Sequence, residues 1–318
     1  MELLRSLRKS LKGRCRPVGS GLDAAALEQQ QYRFYFFVFF LSIYLLTLSG
    51  NTIIILVVWS NTSLHTPMYF FIANLSFLDL WFVSTTVPKL LSILLTNNKR
   101  IPFQACFAQL YMFHSLAINE CSLLAIMAFD RCMAIFTPLR YPSIVTGRVC
   151  KVVMFICWCY GFLLAIMPLT LTVSLPYCKP RELKHYFCDL APLMSLACAD
   201  TAPINTSNQS ASIIAALFIP LFILTMYIII IYSIRKIKTN QGRSKAFSTC
   251  SSHLTTVILF FSSVFVVYVL PKELQETDKV YALIYNIFPP LFNPVIYGLR
   301  NKDVKEALKR SIQKVNSQ

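Results

Sequence analysis

Residues Met127 to Tyr141 read MAFDRCMAIFTPLRY and set an acid beside a base, Asp130 and Arg131, at the end of an apolar run that begins near Cys106. An ionised side chain is costly at the centre of a bilayer and cheap at its edge. The pair therefore reads as the point where a membrane-crossing helix leaves the lipid. Roughly twenty apolar residues span a bilayer as a helix, and seven such blocks lie along the chain, at roughly 34–59, 68–95, 104–129, 149–171, 211–234, 254–270 and 280–299. An odd number of crossings puts the two ends on opposite sides.

Composition agrees. Of 318 residues, 56% are apolar and only 14% charged, against about 25% charged in a soluble domain, and the mean hydropathy is +0.57. The apolar residues come in long blocks between short polar loops, which predicts one integral, all-α membrane domain over 34–299. It is flanked by a basic, extracellular amino tail (1–33) and a cytoplasmic segment (300–318). Residues 1–33 hold no apolar stretch long enough for a secretory leader, so the first span is expected to act as the insertion signal. The net charge of +16 is scattered over loops and tails without a groove of interleaved aromatics, which argues against nucleic acid and for lipid headgroups and a cytoplasmic partner. No internal repeat of the transporter kind is visible. Neither a nucleophile and base grouping nor a phosphate loop is present, so no enzymatic activity and no cofactor are expected.

Lys and Arg near the span ends orient the chain. Arg131, Arg140, Arg148 and Lys151, then Arg235, Lys236, Lys238, Arg243 and Lys245, then the 300–314 tail, predict a cytoplasmic carboxyl end. Lys99, Arg100, Lys179, Arg181, Lys184 and the tail MELLRSLRKSLKGRCR oppose it, although most of that tail lies too far from Phe34 to count. Its Leu3, Leu4, Leu7 and Leu11 share a helical face opposite Arg and Lys, an interfacial-helix pattern whose alternative is an unstructured start. After the last span, NKDVKEALKRSIQK spaces Val304, Ala307, Leu308 and Ile312 as a short amphipathic helix on the inner membrane surface.

Four stretches share a further property. PMYFFIANLSFLDL at Pro67 to Leu80, MAFDRCMAIFTPLRY, KAFSTCSSHL at Lys245 to Leu254 and PPLFNPVIYGLRN at Pro289 to Asn301 resemble the signatures of vertebrate odorant receptors, rhodopsin-like G-protein-coupled receptors. The match runs in order from about Gly50 to Arg310. Phe129, Phe136, Met226 and Phe261 depart from the usual residues, and the amino tail lacks the usual glycosylation sequon. The resemblance implies a seven-helix odorant receptor in the plasma membrane that binds a small, mainly apolar ligand and activates a stimulatory G protein, raising cyclic AMP.

For individual residues it implies several roles. Asp130 and Arg131 face the G protein. No Asp or Glu lies between Arg235 and Thr256, so the resting state is expected to be held by neutral hydrogen bonds from Lys245 to Leu254, with Ser248, Thr249 or His253 and with Tyr227, Lys245 being the contrasting cation. Asn293, Pro294 and Tyr297 form a kink whose freed carbonyl needs a new partner. Asp79 and Glu120, with Asn51 and Asn293, form a buried polar group that holds a sodium ion in related receptors, the alternative being an ion-free network. The ligand wall is His114, Ala117, Ile118 and Cys121 on one face of the third helix, with Val264 and Tyr268. No carboxylate stands near His114 in sequence, so amine recognition is not expected. Cys106, Cys178, Cys188 and Cys198 allow three pairings, and the resemblance implies Cys106 with Cys188 and Cys178 with Cys198. HYFCD at His185 to Asp189 has metal-capable side chains, but a disulfide at Cys188 would consume the thiolate; no metal site is expected. Asn205 and Asn208 begin sequons on the second outer loop. A transporter or channel, or a same-class receptor for a non-volatile metabolite, are the competing readings.

Overall fold

Inside a bilayer no water can answer an unpaired amide, so the apolar blocks must close their backbone bonds within themselves as helices. The computed structural model describes residues 18–20, 30–178, 182–183, 185–268, 275–300 and 302–316. Among them are seven long helices, α1 (Gln30–Ser60), α2 (Pro67–Thr96), α3 (Phe103–Phe136), α4 (Gly147–Leu164), α5 (Ala202–Arg235), α6 (Asn240–Tyr268) and α7 (Gln275–Arg300), followed by α8 (Lys302–Asn316). The interfacial pattern at Leu3 to Leu11 and the loop cations Lys179, Arg181 and Lys184 fall outside the described residues.

The helices outrun the apolar blocks. Helix α3 continues two turns past 129, α5 starts at Ala202 and not 211, and α6 starts at Asn240 and not 254. Hydropathy reports only the lipid-covered part, whereas the backbone ladder continues into water. The fourth span breaks at Ala165 and resumes as Ile166–Val173. By length and hydropathy five helices cross a membrane. Among the described residues α6 has a shorter apolar stretch, Cys250–Val266, and Val280–Gly298 of α7 counts as a sixth span together with Asp303–Arg310, to which it is bent by 80°.

Helix α3 packs against α2, α4, α5 and α6, while α7 closes the ring onto α6, α1 and α2. Large side chains such as Phe155 and Phe218 point outward, as lipid-facing residues do and as a water-exposed surface would not tolerate in such number. Inward, Phe82, Phe113, Phe260 and Tyr285 from four helices stack with centroids 5.0–6.1 Å apart. Val304 and Ala307 of α8 are buried against the bundle, and the Tyr69 hydroxyl donates to Asp303 at 2.9 Å, pinning the start of α8 to the start of α2. On the outer side three short strands, β1 (Val18–Ser20), β2 (Arg100–Ile101) and β3 (Glu182–Leu183), join in the order β2-β1-β3. The β1 segment runs antiparallel to β2 and parallel to β3.

Two glycines let helices touch. A Cβ on Gly50 would meet the Pro294 ring at 3.0 Å, and one on Gly161 would fall 2.2 Å from Asn119 Nδ2. Asn119 is fully engaged there, donating to the Ser115 carbonyl at 2.9 Å while the Cys157 thiol points at its own carbonyl. Gly161→Ala is expected to destabilise the receptor by about 1–3 kcal/mol through overpacking, read as a lower melting temperature in detergent. Gly147→Ala, where nothing lies within 4 Å, should leave the melting temperature unchanged; equal effects would refute the packing account.

Candidate functional site

The polar residues singled out in the sequence occupy three levels of the bundle. At the outer level the chain adopts the bridges Cys106–Cys188 and Cys178–Cys198, with Cα separations of 5.5 and 5.9 Å. The first lays the lid segment along α3. Gln109 fixes it further: its Nε2 donates to the Thr85 carbonyl of α2 at 2.8 Å, and its Oε1 accepts the Cys188 amide at 3.0 Å. The Phe187 ring packs tilted against Phe113, centroids 4.8 Å apart.

His114, Ala117, Ile118 and Cys121 are half-buried, whereas Phe113, Ser115, Leu116, Asn119 and Glu120 between them are buried, so the four form one less covered stripe. Val264 of α6 is half-buried and packs on the same core as Ala117 and Cys121; the side chain of Tyr268 lies outside the described residues. The expectation that no carboxylate stands near His114 is overturned. The lid brings Asp189 Oδ1 to 3.3 Å from His114 Nε2, off the line of a hydrogen bond, a contact invisible to sequence spacing because the loop folds back onto α3. Asp189 also caps the short helix Leu190–Met194 by accepting the Leu190 amide at 2.7 Å. His185 is turned to the Phe187 carbonyl at 2.9 Å, and the Cys188 sulfur is held in its bridge, so HYFCD does not assemble a ligand set.

The sequons at Asn205 and Asn208 do not lie on a loop. Both fall on the first turns of α5, because the polar stretch before the apolar block continues the helix; their side chains lie outside the described residues.

At the middle level Asn51, Asp79, Glu120 and Asn293 are all at most 1% exposed. Pro294 has no amide to give the Pro290 carbonyl, and Asn51 Nδ2 supplies the missing donor at 2.9 Å, also reaching the Thr47 carbonyl at 3.0 Å. Asn293 Nδ2 donates to Asp79 Oδ2 at 2.9 Å, and Asn286 donates to Thr86. Besides Asn286 Oδ1, five acceptor oxygens are left without hydrogen bonds: Asp79 Oδ1, both of Glu120, Asn51 Oδ1 and Asn293 Oδ1. Carboxylate and amide oxygens are hard donors, the type that alkali and alkaline-earth cations take.

At the inner level Arg131 pairs with Asp130, its Nε at 3.1 Å from Oδ2. Tyr141, on the short helix Tyr141–Ile144, donates to Asp130 Oδ1 at 2.6 Å. Its hydroxyl is pushed up from the usual phenol range, first by burial and then by this carboxylate. Across a small cavity lined by Met68, Ile72, Met127, Asp130, Arg131, Ser252, His253 and Tyr297, the Tyr227 hydroxyl meets His253 Nδ1 at 2.7 Å and the Cys250 carbonyl at 3.0 Å. His253 Nε2 and the Tyr297 hydroxyl have no well-aligned hydrogen bond there, although Thr256 lies beside the latter. The side chains of Lys245, Ser248 and Thr249 lie outside the described residues. Sequence reading missed Gln109, Tyr141 and the contact of Asp189 with His114. Tyr141 carried a signal as the last residue of the stretch that holds Asp130 and Arg131, and Asp189 as the last of HYFCD.

Burial would raise the Asp189 carboxyl, but the imidazole of His114, then that of His185, and the Leu190 amide outweigh it and hold the group below the ordinary carboxylate value. A depressed folded-state value adds stability that is complete above the unfolded value, near 3.9, and is lost as pH falls through the folded one. Asp189→Asn is therefore expected to lower the melting temperature of the detergent-solubilised receptor at neutral and mildly acidic pH. The gap should close as pH falls below about 4; a gap that persists in full at about pH 3 would contradict the assignment.

The sequence model of the family described as "Olfactory receptor" matches residues 40–314. Among curated human (Homo sapiens) proteins, the chain is 44% identical to "Olfactory receptor 11H4" over 86% of each chain. It is 42% identical to "Olfactory receptor 10G4" over 94% of this chain and 93% of the other, and 44% identical to "Olfactory receptor 2A12" over 89% and 92%. Members of this family are G-protein-coupled receptors and not enzymes. With seven long helices, five of them able to cross a membrane by length and composition alone, and a family match over most of its length, the chain belongs to the olfactory receptor family and is a seven-helix, multi-pass odorant receptor of the plasma membrane.

Proposed function

We propose that the receptor takes a small, mainly apolar ligand between the outer halves of α3, α5 and α6 and signals through a stimulatory G protein that raises cyclic AMP. The single observation that carries this reading is the state of Arg131. It is held by Asp130, which Tyr141 also grips, beside a cavity whose far wall on α6 is latched to α5 by Tyr227 and His253. With no acid between Arg235 and Thr256, an outward swing of α6 has to break neutral hydrogen bonds only, which makes the latch light and the switch responsive to a weakly bound ligand. Arg131 then turns from Asp130 to carbonyls of the partner's tail. On this reading the amino end is outside and the carboxyl end inside, in accord with the basic residues that follow α3, α5 and α7.

At the middle level we assign the five unanswered oxygens around Asp79 and Glu120 to a sodium ion. Asn51 serves mainly to answer the Pro290 carbonyl. When α7 straightens at Pro294 this bond and the Asp79–Asn293 bond change together, coupling ion release to the inner switch. A cation here stabilises the resting state, since it offsets negative charge on the buried Asp79 and Glu120 carboxyl pair.

The test is a volatile panel on cells that express the receptor with its G protein, reading cyclic AMP. Arg131→Ala is expected to abolish the response, and His114→Ala to shift its concentration dependence. Tyr227→Phe and His253→Ala are each expected to raise basal cyclic AMP about two- to tenfold, one hydrogen bond being about 0.5–1.5 kcal/mol. Unchanged basal signalling in both would remove the latch. Sodium is expected to raise the melting temperature of the purified receptor relative to potassium, and Asp79→Asn to abolish that difference. A sodium effect that survives the substitution would place the ion elsewhere. An epitope after Gln318 should be labelled only once cells are permeabilised.

A further inference from the structure

The lid is seated on α3 by the Cys106–Cys188 bridge, the Gln109–Cys188 hydrogen bond and the Phe113–Phe187 ring contact. One residue beyond the bridge, Asp189 reaches His114. That histidine lies eight residues along α3 from Cys106, about 12 Å of helix, and side chains on a helix lean back toward its start, so His114 rises to meet the lid. Asp189 is thereby held at the top of the stripe formed by His114, Ala117, Ile118 and Cys121.

Its two oxygens are used unequally. Oδ1 accepts the Leu190 amide and faces His114. Both of these contacts fall on Oδ1 and none among the described residues falls on Oδ2, although Asp189 as a whole is only 7% exposed. The titratable groups acting on the carboxylate are His114 from α3 and His185 from the lid, and neither carries a permanent charge. Among the described residues this largely buried carboxylate has one oxygen without a hydrogen bond and imidazoles as its charge partners, an arrangement that suits a cationic donor.

From this arrangement we infer that Asp189 is a specificity-determining ligand contact. It accepts an N–H or O–H from the one polar head of an otherwise apolar ligand, so that primary amines are preferred, alcohols follow, and carboxylic acids are rejected. The inference rests on the outer site being the ligand site. An alkylammonium head gains a charge-assisted hydrogen bond to Oδ2, and its apolar body lies on the stripe below. A carboxylate head would meet a like charge at low dielectric.

The experiment uses the full chain and three compounds with one skeleton: cyclohexylmethylamine, cyclohexylmethanol and cyclohexanecarboxylic acid. Two readouts are taken at neutral pH, cyclic AMP in cells and the melting temperature of the purified receptor. The amine is expected to act at a concentration at least about tenfold lower than the acid. Asp189→Asn, which keeps an oxygen for the Leu190 amide, should bring the two within about twofold while barely moving the alcohol. Asp189→Glu should retain the order. Receptor amounts are matched by surface labelling. An acid as effective as the amine, an order that survives Asp189→Asn, or no head-group preference in either readout, silence included, overturns the inference. A preference seen in melting temperature without cyclic AMP upholds it and sinks the proposed coupling instead.

Discussion

Lipid around the bundle offers no hydrogen bonds, so a backbone group freed within a spanning helix is answered from elsewhere in the chain, and the approach of the helices follows from those answers. The clearest case is the Pro290 carbonyl. Pro294 removes its amide partner, and Asn51 on α1 replaces it, which ties the first helix to the last spanning one and requires Gly50 to stand aside for the proline ring. The same rule draws α7 to α2 through Asn293 and Asp79 and leaves no slack in how α1, α2 and α7 approach one another.

The rule also marks where the structure is prepared to change. Groups that are fully answered, such as Asn119 against Gly161 and Cys157, hold α3 and α4 as a fixed frame. Apart from His114 Nε2 at the outer level, groups left partly unanswered among the described residues fall in two regions, the middle level with Asp79, Glu120, Asn51, Asn286 and Asn293, and the inner end of α6 and α7 with His253, Thr256 and Tyr297. Unsatisfied polar atoms at zero or near-zero exposure are costly. Both clusters lie on α6 and α7 or against them, the helices whose contact with the frame has to differ between two signalling states.

The outer lid obeys a different economy. It is covalently pinned at Cys188 and hydrogen-bonded by Gln109, so its position relative to α3 does not depend on a ligand. What it presents is a carboxylate, Asp189, beside an imidazole. Chemical character in the pocket thus comes partly from a loop and not only from the helices that form its walls, which permits ligand preference to alter without disturbing the switch below.

Sequence alone determined the seven crossings, the membrane edge at Asp130 and Arg131, and the families of polar residues on the inner faces, because hydropathy and helical spacing are sums over neighbours in the chain. It also made the need of a proline-freed carbonyl plain without showing that Asn51 would meet it. Tertiary structure decided what depends on chain segments far apart in sequence: Asp189 against His114, Gln109 between α2 and the lid, Tyr141 on Asp130, and the close approach of Gly161 to Asn119. It also moved the sequons at Asn205 and Asn208 from a loop onto α5, since hydrogen-bonded helix continues where apolar character has already stopped. The physical reason is the same in each instance. Burial in lipid is written residue by residue, whereas the partner of a buried polar group is chosen by where the folded chain returns.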